Sequence, residues 1–483
     1  MSDIERHAAS AAWWSTLEIT ARYGVQFFVM VILAHLLSPE DFGLIALLLV
    51  FTSIGSLLVD SGFGTALIQR QHTTADDETT VFVFSICAGI VASVSLVISA
   101  PVIAAFFEQP KLVGLTRLMA LVLPLGALAA VPDALLTMKL DFKARARAEV
   151  IASLCSGTVA IVLAWYGFGA WSLAWQAIVA ITIRGMLLWL YSGWRPRGHY
   201  RQNSFRSLFG FGSYLLITGL LNAVAVRMQA LLIGKLFDAR QLGYYTLAQN
   251  TQQAPALLMG GILSRVGLPV FSRVADDPKK LLGAFRATLR MSMFLFVPCT
   301  VGIALVAKPL VELLYGVRWI PIAPLLSILA LSAAFWPVHV LNLAVIGALG
   351  KSNLLLRIEI VKQLVGIALI VACAPWGMEA IAWAVFGSSV FSVFMNTYYS
   401  NRLMDYGTLA QLKDQSATFI LSAIAAFIGW AILHLMGSGA ATMFCALSAS
   451  ALMYLLTAVI THNRALRGLL TIMHILRDKP TKY

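Results

Sequence analysis

Seven apolar segments, each long enough to cross a bilayer as a helix, fill the first half of this chain and are separated by short polar turns. A helical crossing needs about 20 mainly apolar residues, so the chain is expected to be an all-α integral membrane protein. The second half continues in the same way: 59% of the 483 residues are hydrophobic and 12% charged, with a mean hydropathy of +0.83. No soluble domain covers itself with polar surface from such a composition. Between residues 11 and 461 the reading gives about 14 transmembrane helices.

An even number of spans places both termini on one side, and the basic residues name that side. With connectors and tails assigned alternately, one face collects most of the Lys and Arg residues, including Lys139, Lys143, Arg145, Arg147, Arg195, Arg197, Arg201, Arg206 and those of the tail from Arg464 to Lys482. The other face has only Lys111, Arg240, Lys308 and Arg318. Both ends are therefore expected in the cytoplasm. The net charge of +13 reads first as this bias plus attraction to anionic headgroups, and second as capture of an anionic substrate. Because the basic residues sit beside spans, no nucleic-acid partner is expected. Asp3, Glu5 and Arg6, followed by Glu18 and Arg22 in the first span, do not suit a cleavable signal peptide.

The chain also repeats itself. Leu36-Leu37-Ser38-Pro39-Glu40-Asp41-Phe42-Gly43-Leu44 aligns, at an offset of 200, with Leu236-Phe237-Asp238-Ala239-Arg240-Gln241-Leu242-Gly243-Tyr244. Further matches, Gly64 to Arg70 with Gly267 to Arg273 and Arg147 to Ile151 with Arg357 to Val361, keep the same order. This predicts two pseudo-symmetric six-helix lobes plus two C-terminal helices. The expected organisation is an N-terminal lobe over 1–192, a basic cytoplasmic linker over 193–211 and a second lobe over 212–405. Two additional spans (406–461) and an amphipathic basic tail (462–483) follow. The linker is read as an amphipathic helix on the inner leaflet, and Trp13, Trp14, Trp165, Trp171, Trp194, Trp319 and Trp376 as interface anchors. An even number of spans per lobe makes the pseudo-twofold axis run along the membrane normal and leaves a cleft between lobes.

No stretch outside the spans is long enough to be a catalytic domain, so no enzyme is expected. Gly350-Lys351-Ser352 lacks the first glycine of a phosphate-binding loop and leaves a hydrophobic helix rather than a strand. Cys87, Cys155, Cys299, Cys373 and Cys445 fall in separate spans, so neither metal nor cofactor is expected. The informative residues are the charges inside spans, because a central Arg or Asp costs about 2.5–3.5 kcal/mol and persists where it is paired or meets water. Arg22 with Glu18 one turn away, and Arg227 in the corresponding element of the second lobe, are candidates for binding a diphosphate in the cleft. Their structural alternative is neutralisation of Arg22 by Glu18 and snorkelling of Arg227. Gln229, Asn250 and Gln253 are candidates for sugar hydroxyls, with ordinary interhelical hydrogen bonding as the alternative. For Asp60, Asp133, Arg184 and Arg265 ion pairing within the bundle or snorkelling is favoured over ligand contact.

Leu36 to Gly43, Asp60 to Arg70, Leu231-Leu232-Ile233-Gly234-Lys235, Leu242-Gly243-Tyr244-Tyr245, Pro269 to Arg273 and Gly316-Val317-Arg318-Trp319 together resemble the polysaccharide flippase branch of the multidrug, oligosaccharidyl-lipid and polysaccharide exporter superfamily. The resemblance spans about residues 10–400. It implies translocation of an undecaprenyl-diphosphate-linked oligosaccharide from the cytoplasmic to the periplasmic leaflet of a bacterial inner membrane, for exopolysaccharide or O-antigen assembly. By the same resemblance the partners are the polyprenyl-diphosphate-linked oligosaccharide, the lipid bilayer, H+ or Na+ as a coupling ion, and polysaccharide polymerase and chain-length proteins. The family pattern places Asp near Gln229 and Arg near His35, and this chain departs from it at both positions. An ion-coupled drug or metabolite exporter of the same superfamily is the alternative function, and an integral-membrane glycosyltransferase or polymerase a more remote one.

Overall fold

The computed structural model describes residues 23–70, 73–274, 276–437 and 439–468. Among these residues there are helices, turns and connections but no strand. Ten stretches are helices long and apolar enough to cross a membrane, by length and composition. Four further helices stand at expected span positions, and the figure of fourteen is matched by composition at ten.

The chain divides into two compact units, Met1–Thr246 and Leu247–Tyr483. In the first, α1 (Tyr23–Leu36) turns into α2 (Pro39–Asp60). The turn is dictated locally. Ser38 Oγ accepts the Asp41 N–H, the Asp41 carboxylate accepts the Ser38 N–H, and Pro39 fills the first helical turn, where no N–H is needed. There follow α3 (Phe63–Gln69), α4 (Ala75–Phe106), α5 (Lys111–Met119), α6 (Val122–Met138), α7 (Phe142–Trp165), α8 (Ala170–Ser192) and α9 (Gln202–Leu236). The helix α10 (Ala239–Arg273) starts in the first unit and ends in the second. The second unit continues with α11 (Pro278–Leu305), α12 (Ala307–Tyr315), α13 (Ile322–Ala333), α14 (Trp336–Ala348), α15 (Ser352–Cys373), α16 (Met378–Met404), α17 (Thr408–Met436) and α18 (Ala440–Ile460). The internal repeat is visible in this series: Lys111–Met138 and Ile322–Ala348 are both spans broken once, the first near its first third and the second near its middle, and each is followed by a long helical pair.

Two ends of the first unit differ in chemistry. At one end lie the α1–α2, α4–α5 and α9–α10 turns, held by Lys111 Nζ to Glu40 Oε1 at 3.0 Å and by Lys235 Nζ to the Phe106 carbonyl at 2.7 Å. Here the repeated stretches meet. A Cβ on Gly43 would stand 1.7 Å from the Ala239 carbonyl oxygen, and one on Gly243 would stand 1.8 Å from the Pro39 oxygen. Pro39 and Ala239 are equivalent under the 200-residue offset, as are Gly43 and Gly243, so the contact is reciprocal in the way a twofold interface is. Only glycine allows backbones this close.

At the opposite end the basic residues collect. The linker is not the surface helix that its composition suggests. Gly193, at φ +61°, closes α8, and residues 194–201 form a non-helical strap over the start of α4. The reason is a match of donors to acceptors: the N–H groups of Gly198, His199 and Arg201 donate to Thr79, Asp76 and Thr80, and Trp194 Nε1 donates to Glu78 at 2.6 Å. Residues 202–211 then open the long α9. Trp194 itself packs in a core with Phe63, Leu67, Val131 and Leu208.

Among the tryptophans expected as interface anchors, Trp165 and Trp376 are well exposed, whereas Trp194 and Trp319 are buried. Position near a span end therefore did not decide their role; the presence of a packed neighbour did. Trp13 and Trp14 lie outside the described residues. So does most of the expected tail helix, of which residues 464–468 are helical and Ala465 packs with Phe294, Leu421 and Tyr454.

The core of the second unit is built by Phe271, Phe285, Leu289, Met293, Leu341 and Val345. Polar side chains also cross between its helices. Arg286 donates two hydrogen bonds to Asp414, at 2.7 and 2.9 Å, a bidentate pair that ties α11 to α17. Asn342 Nδ2 donates to Gln411 at 3.1 Å, joining α14 to α17. Pro298 is carried inside α11 and Pro337 opens α14.

Candidate functional site

Charged side chains within apolar helices fall into two kinds in the first unit. Asp133 on α6, Arg145 and Glu149 on α7 and Arg184 on α8 form one network. Arg145 Nε donates to Asp133 Oδ1 at 2.8 Å, Arg184 Nη2 to Asp133 Oδ2 at 3.0 Å and Arg184 Nε to Glu149 Oε2 at 2.8 Å. Two acids and two bases cancel, and all four are largely buried side chains. The network clamps three helices together at the basic end. It leaves no free charge for a ligand.

Arg227 is the second kind. It sits six residues before the strongly buried Ile233 on α9 and is half-buried. Among the described residues no carboxylate pairs with it. Arg22 and Glu18 lie outside the described residues. Gln229 is two residues from Arg227, and positions two apart on a helix do not share a face. Its Oε1 instead accepts the Tyr245 hydroxyl at 3.4 Å, inside the α9–α10 packing. This is the interhelical hydrogen bonding that was the alternative to a sugar contact for Gln229. Asn250 and Gln253 are one turn apart on α10, and both are exposed.

Asp60, at the end of α2, joins none of these groups. Its carboxylate accepts the backbone N–H groups of Gly62 and Gly64, capping the start of α3. The side chain of Arg265 lies outside the described residues. Between α16 and α17, Tyr406 donates to Asp414 Oδ2 at 2.7 Å. Burial, and then that bond, raise the Tyr406 hydroxyl above the ordinary tyrosine range, so it remains a donor to a carboxylate already held by Arg286.

Sequence reasoning missed the reciprocal Gly43–Gly243 contact, though the aligned stretches contained both residues. It also missed Arg145 and Glu149 as the partners that complete the Arg184 network. The signal for Glu149 was its position one turn after Arg145 on a helix with other charges.

A helical membrane protein with an internal repeat and apolar spans has the build of a transporter rather than an enzyme. The whole-chain comparison agrees at the level of the fold. The structure resembles a lipid II flippase, MurJ, in an inward closed conformation, with a TM-score of 0.76 and 14% identity, over 94% of this chain and 99% of that one. Residues 32–324 match the family described as polysaccharide biosynthesis protein, and the chain belongs to that family. It is 22% identical over 435 residues to the teichuronic acid biosynthesis protein TuaB of Bacillus subtilis, covering 89% of this chain and 90% of that one. It is 26% identical over 319 residues to the succinoglycan biosynthesis transport protein ExoT of Rhizobium meliloti, covering 66% and 65%.

Proposed function

We propose that this protein is a flippase that moves a polyprenyl-diphosphate-linked oligosaccharide repeat unit across a bacterial inner membrane, from the cytoplasmic to the periplasmic leaflet, for exopolysaccharide or O-antigen assembly. The family membership supports the pathway. The observation that carries the mechanism is that Arg227 in α9 meets no carboxylate among the described residues, whereas Asp133, Arg145, Glu149 and Arg184 of α6–α8 pair with one another. Arg22 and Arg227 bind the diphosphate, whose oxygens replace the water that the guanidinium groups lose. Asn250 and Gln253 serve sugar hydroxyls, and Glu18 holds Arg22 in place between transport cycles.

The basic end of the first unit faces the cytoplasm on this reading, with both termini on that side. The Gly43–Gly243 contact then closes the periplasmic end, and transport by alternating access requires it to separate. A bound substrate shifts such an equilibrium only by its difference in affinity for the two states, so direction comes from removal of the glycan at the far leaflet or from an H+ or Na+ gradient. A polymerase and a chain-length protein are the consumers of the product.

The test is depletion in the native host, with lipid-linked oligosaccharide assayed on each leaflet. Accumulation on the cytoplasmic leaflet, cleared by wild type but not by an Arg22→Ala/Arg227→Ala chain inserted at normal levels, is the expected result. No accumulation on depletion would transfer the protein to a drug or metabolite substrate. Clearance by the double variant would remove the arginines from the mechanism.

A further inference from the structure

An apolar crevice of about 610 Å³ runs along the outside of the first unit between α6 and α8. Leu125 and Leu128 form one wall, Ile181, Thr182 and Trp189 the other, and Gly185 leaves space where a side chain would intrude. Met186 and Leu190 at its rim are 61% and 73% exposed, which on a membrane span means that the crevice opens to lipid. Its few polar atoms are already satisfied: Thr182 Oγ1 donates to the Ile178 carbonyl at 2.7 Å, and Trp189 Nε1 donates to the Leu128 carbonyl at 2.8 Å. The interior therefore offers nothing to a polar ligand.

One polar group remains, at the mouth. Arg195 lines the crevice where α8 ends. It is exposed, and among the described residues it has no ion-pair partner. Its backbone is held from both sides, by the buried Trp194, bonded to Glu78, and by the ring of Pro196. A cation at the head of a lipid-facing apolar slot complements one class of molecule.

We infer that the crevice is a binding site for an anionic glycerophospholipid, with the phosphate on Arg195 and one acyl chain along α8. Three features commit the occupant. The volume lies within the roughly 300–1,000 Å³ of small-ligand sites. The α8 portion from Ile181 to Ser192 rises about 17 Å at 1.5 Å per residue, close to the roughly 15 Å hydrocarbon depth of one leaflet, which suits an ordinary acyl chain and not a much longer polyprenyl tail. The charge is positive and sits at the basic end, where anionic headgroups gather. No residue of α9, which carries Arg227, lines the site, and the site is independent of which glycan is carried.

Native mass spectrometry of the full-length protein, purified with phosphatidylglycerol or phosphatidylcholine, tests this. Wild type is expected to retain one phosphatidylglycerol in preference to phosphatidylcholine. Arg195→Gln should lower phosphatidylglycerol retention roughly fivefold, the value of one interfacial cation, and leave phosphatidylcholine unchanged. Met186→Trp, which fills the crevice from its exposed rim, should reduce retention of both. Lys351→Gln, the same loss of charge in the second unit, should change neither. Unaltered phosphatidylglycerol retention in Arg195→Gln, an equal loss in Lys351→Gln, or displacement of phosphatidylglycerol by equimolar polyprenyl phosphate in wild type but not in Met186→Trp would each overturn the assignment.

Discussion

Arg184 and Arg227 are both arginines carried by apolar helices of the first unit, and their surroundings are opposite. Arg184 meets two carboxylates, one on each neighbouring helix, and Asp133 is shared with Arg145. Arg227 meets no carboxylate among the described residues. A charge inside a membrane protein is expensive whichever residue supplies it. At Arg184 the bundle itself provides the compensation, and the result is a clamp. At Arg227 no carboxylate among the described residues provides it, and the proposed function assigns that compensation to the diphosphate of the substrate. Residue type and depth do not distinguish the two positions; the presence of a partner does.

If that contrast is correct, substitutions at the two arginines should fail in different assays. The largest effect is expected for Arg227→Ala: flux of lipid-linked oligosaccharide should fall at least 30-fold, in line with about 2–5 kcal/mol for removing one member of a desolvated charge pair, while thermal stability in detergent stays at the wild-type value. A stability loss that accounts for the lost flux would make Arg227 structural. Gly43→Ala comes next. Its methyl group meets the Ala239 carbonyl at a distance no atom pair tolerates, and overpacking of this kind costs about 1–3 kcal/mol. Cysteine accessibility near residues 38 and 240 should rise and transport should slow roughly tenfold; unchanged accessibility would show that the contact yields without opening.

Arg184→Leu should do the reverse of Arg227→Ala. It removes the Arg184 bond of Glu149 and leaves Asp133 with Arg145, and a loss of about 2 kcal/mol is expected, below the 3–5 of a fully buried pair because the four side chains retain some solvent contact. Thermal unfolding would show it, with flux per folded molecule preserved. Falling flux at normal stability would erase the distinction between the two arginines. The smallest effect belongs to Lys111→Ala. Its bond to Glu40 is 3.0 Å long but both side chains are well exposed, and such pairs contribute about 0–1 kcal/mol. A change in melting temperature beyond a degree or two would show that this end of the unit is more tightly held than its exposure indicates.

Much of the architecture was legible before any coordinates. The lengths of the apolar runs announce helices that cross a bilayer, and the ordered matches at an offset near 200 announce the repeat. The turn at Ser38-Pro39-Glu40-Asp41 contains its own cap. The basic linker was read less well, because composition showed many cations and concealed the acceptors at Asp76, Glu78, Thr79 and Thr80 that draw the backbone of residues 194–201 away from a helix. Asp133 and Arg184 were recognisable as charges in spans. Their connection through Arg145 and Glu149 was not, since it joins residues 12, 35 and 51 positions apart.

By itself the sequence determined the solvent in which this protein folds, the helical class and the internal duplication, because hydropathy and repetition are properties of the chain read locally. Tertiary structure decided which charges cancel, that Gly43 and Gly243 face one another, that Gln229 is occupied by Tyr245, and that a crevice ending in Arg195 lies open to lipid. Each of these is a relation between side chains brought close by helix packing, and distance along the chain carries almost no information about distance in space once the chain has crossed the membrane several times.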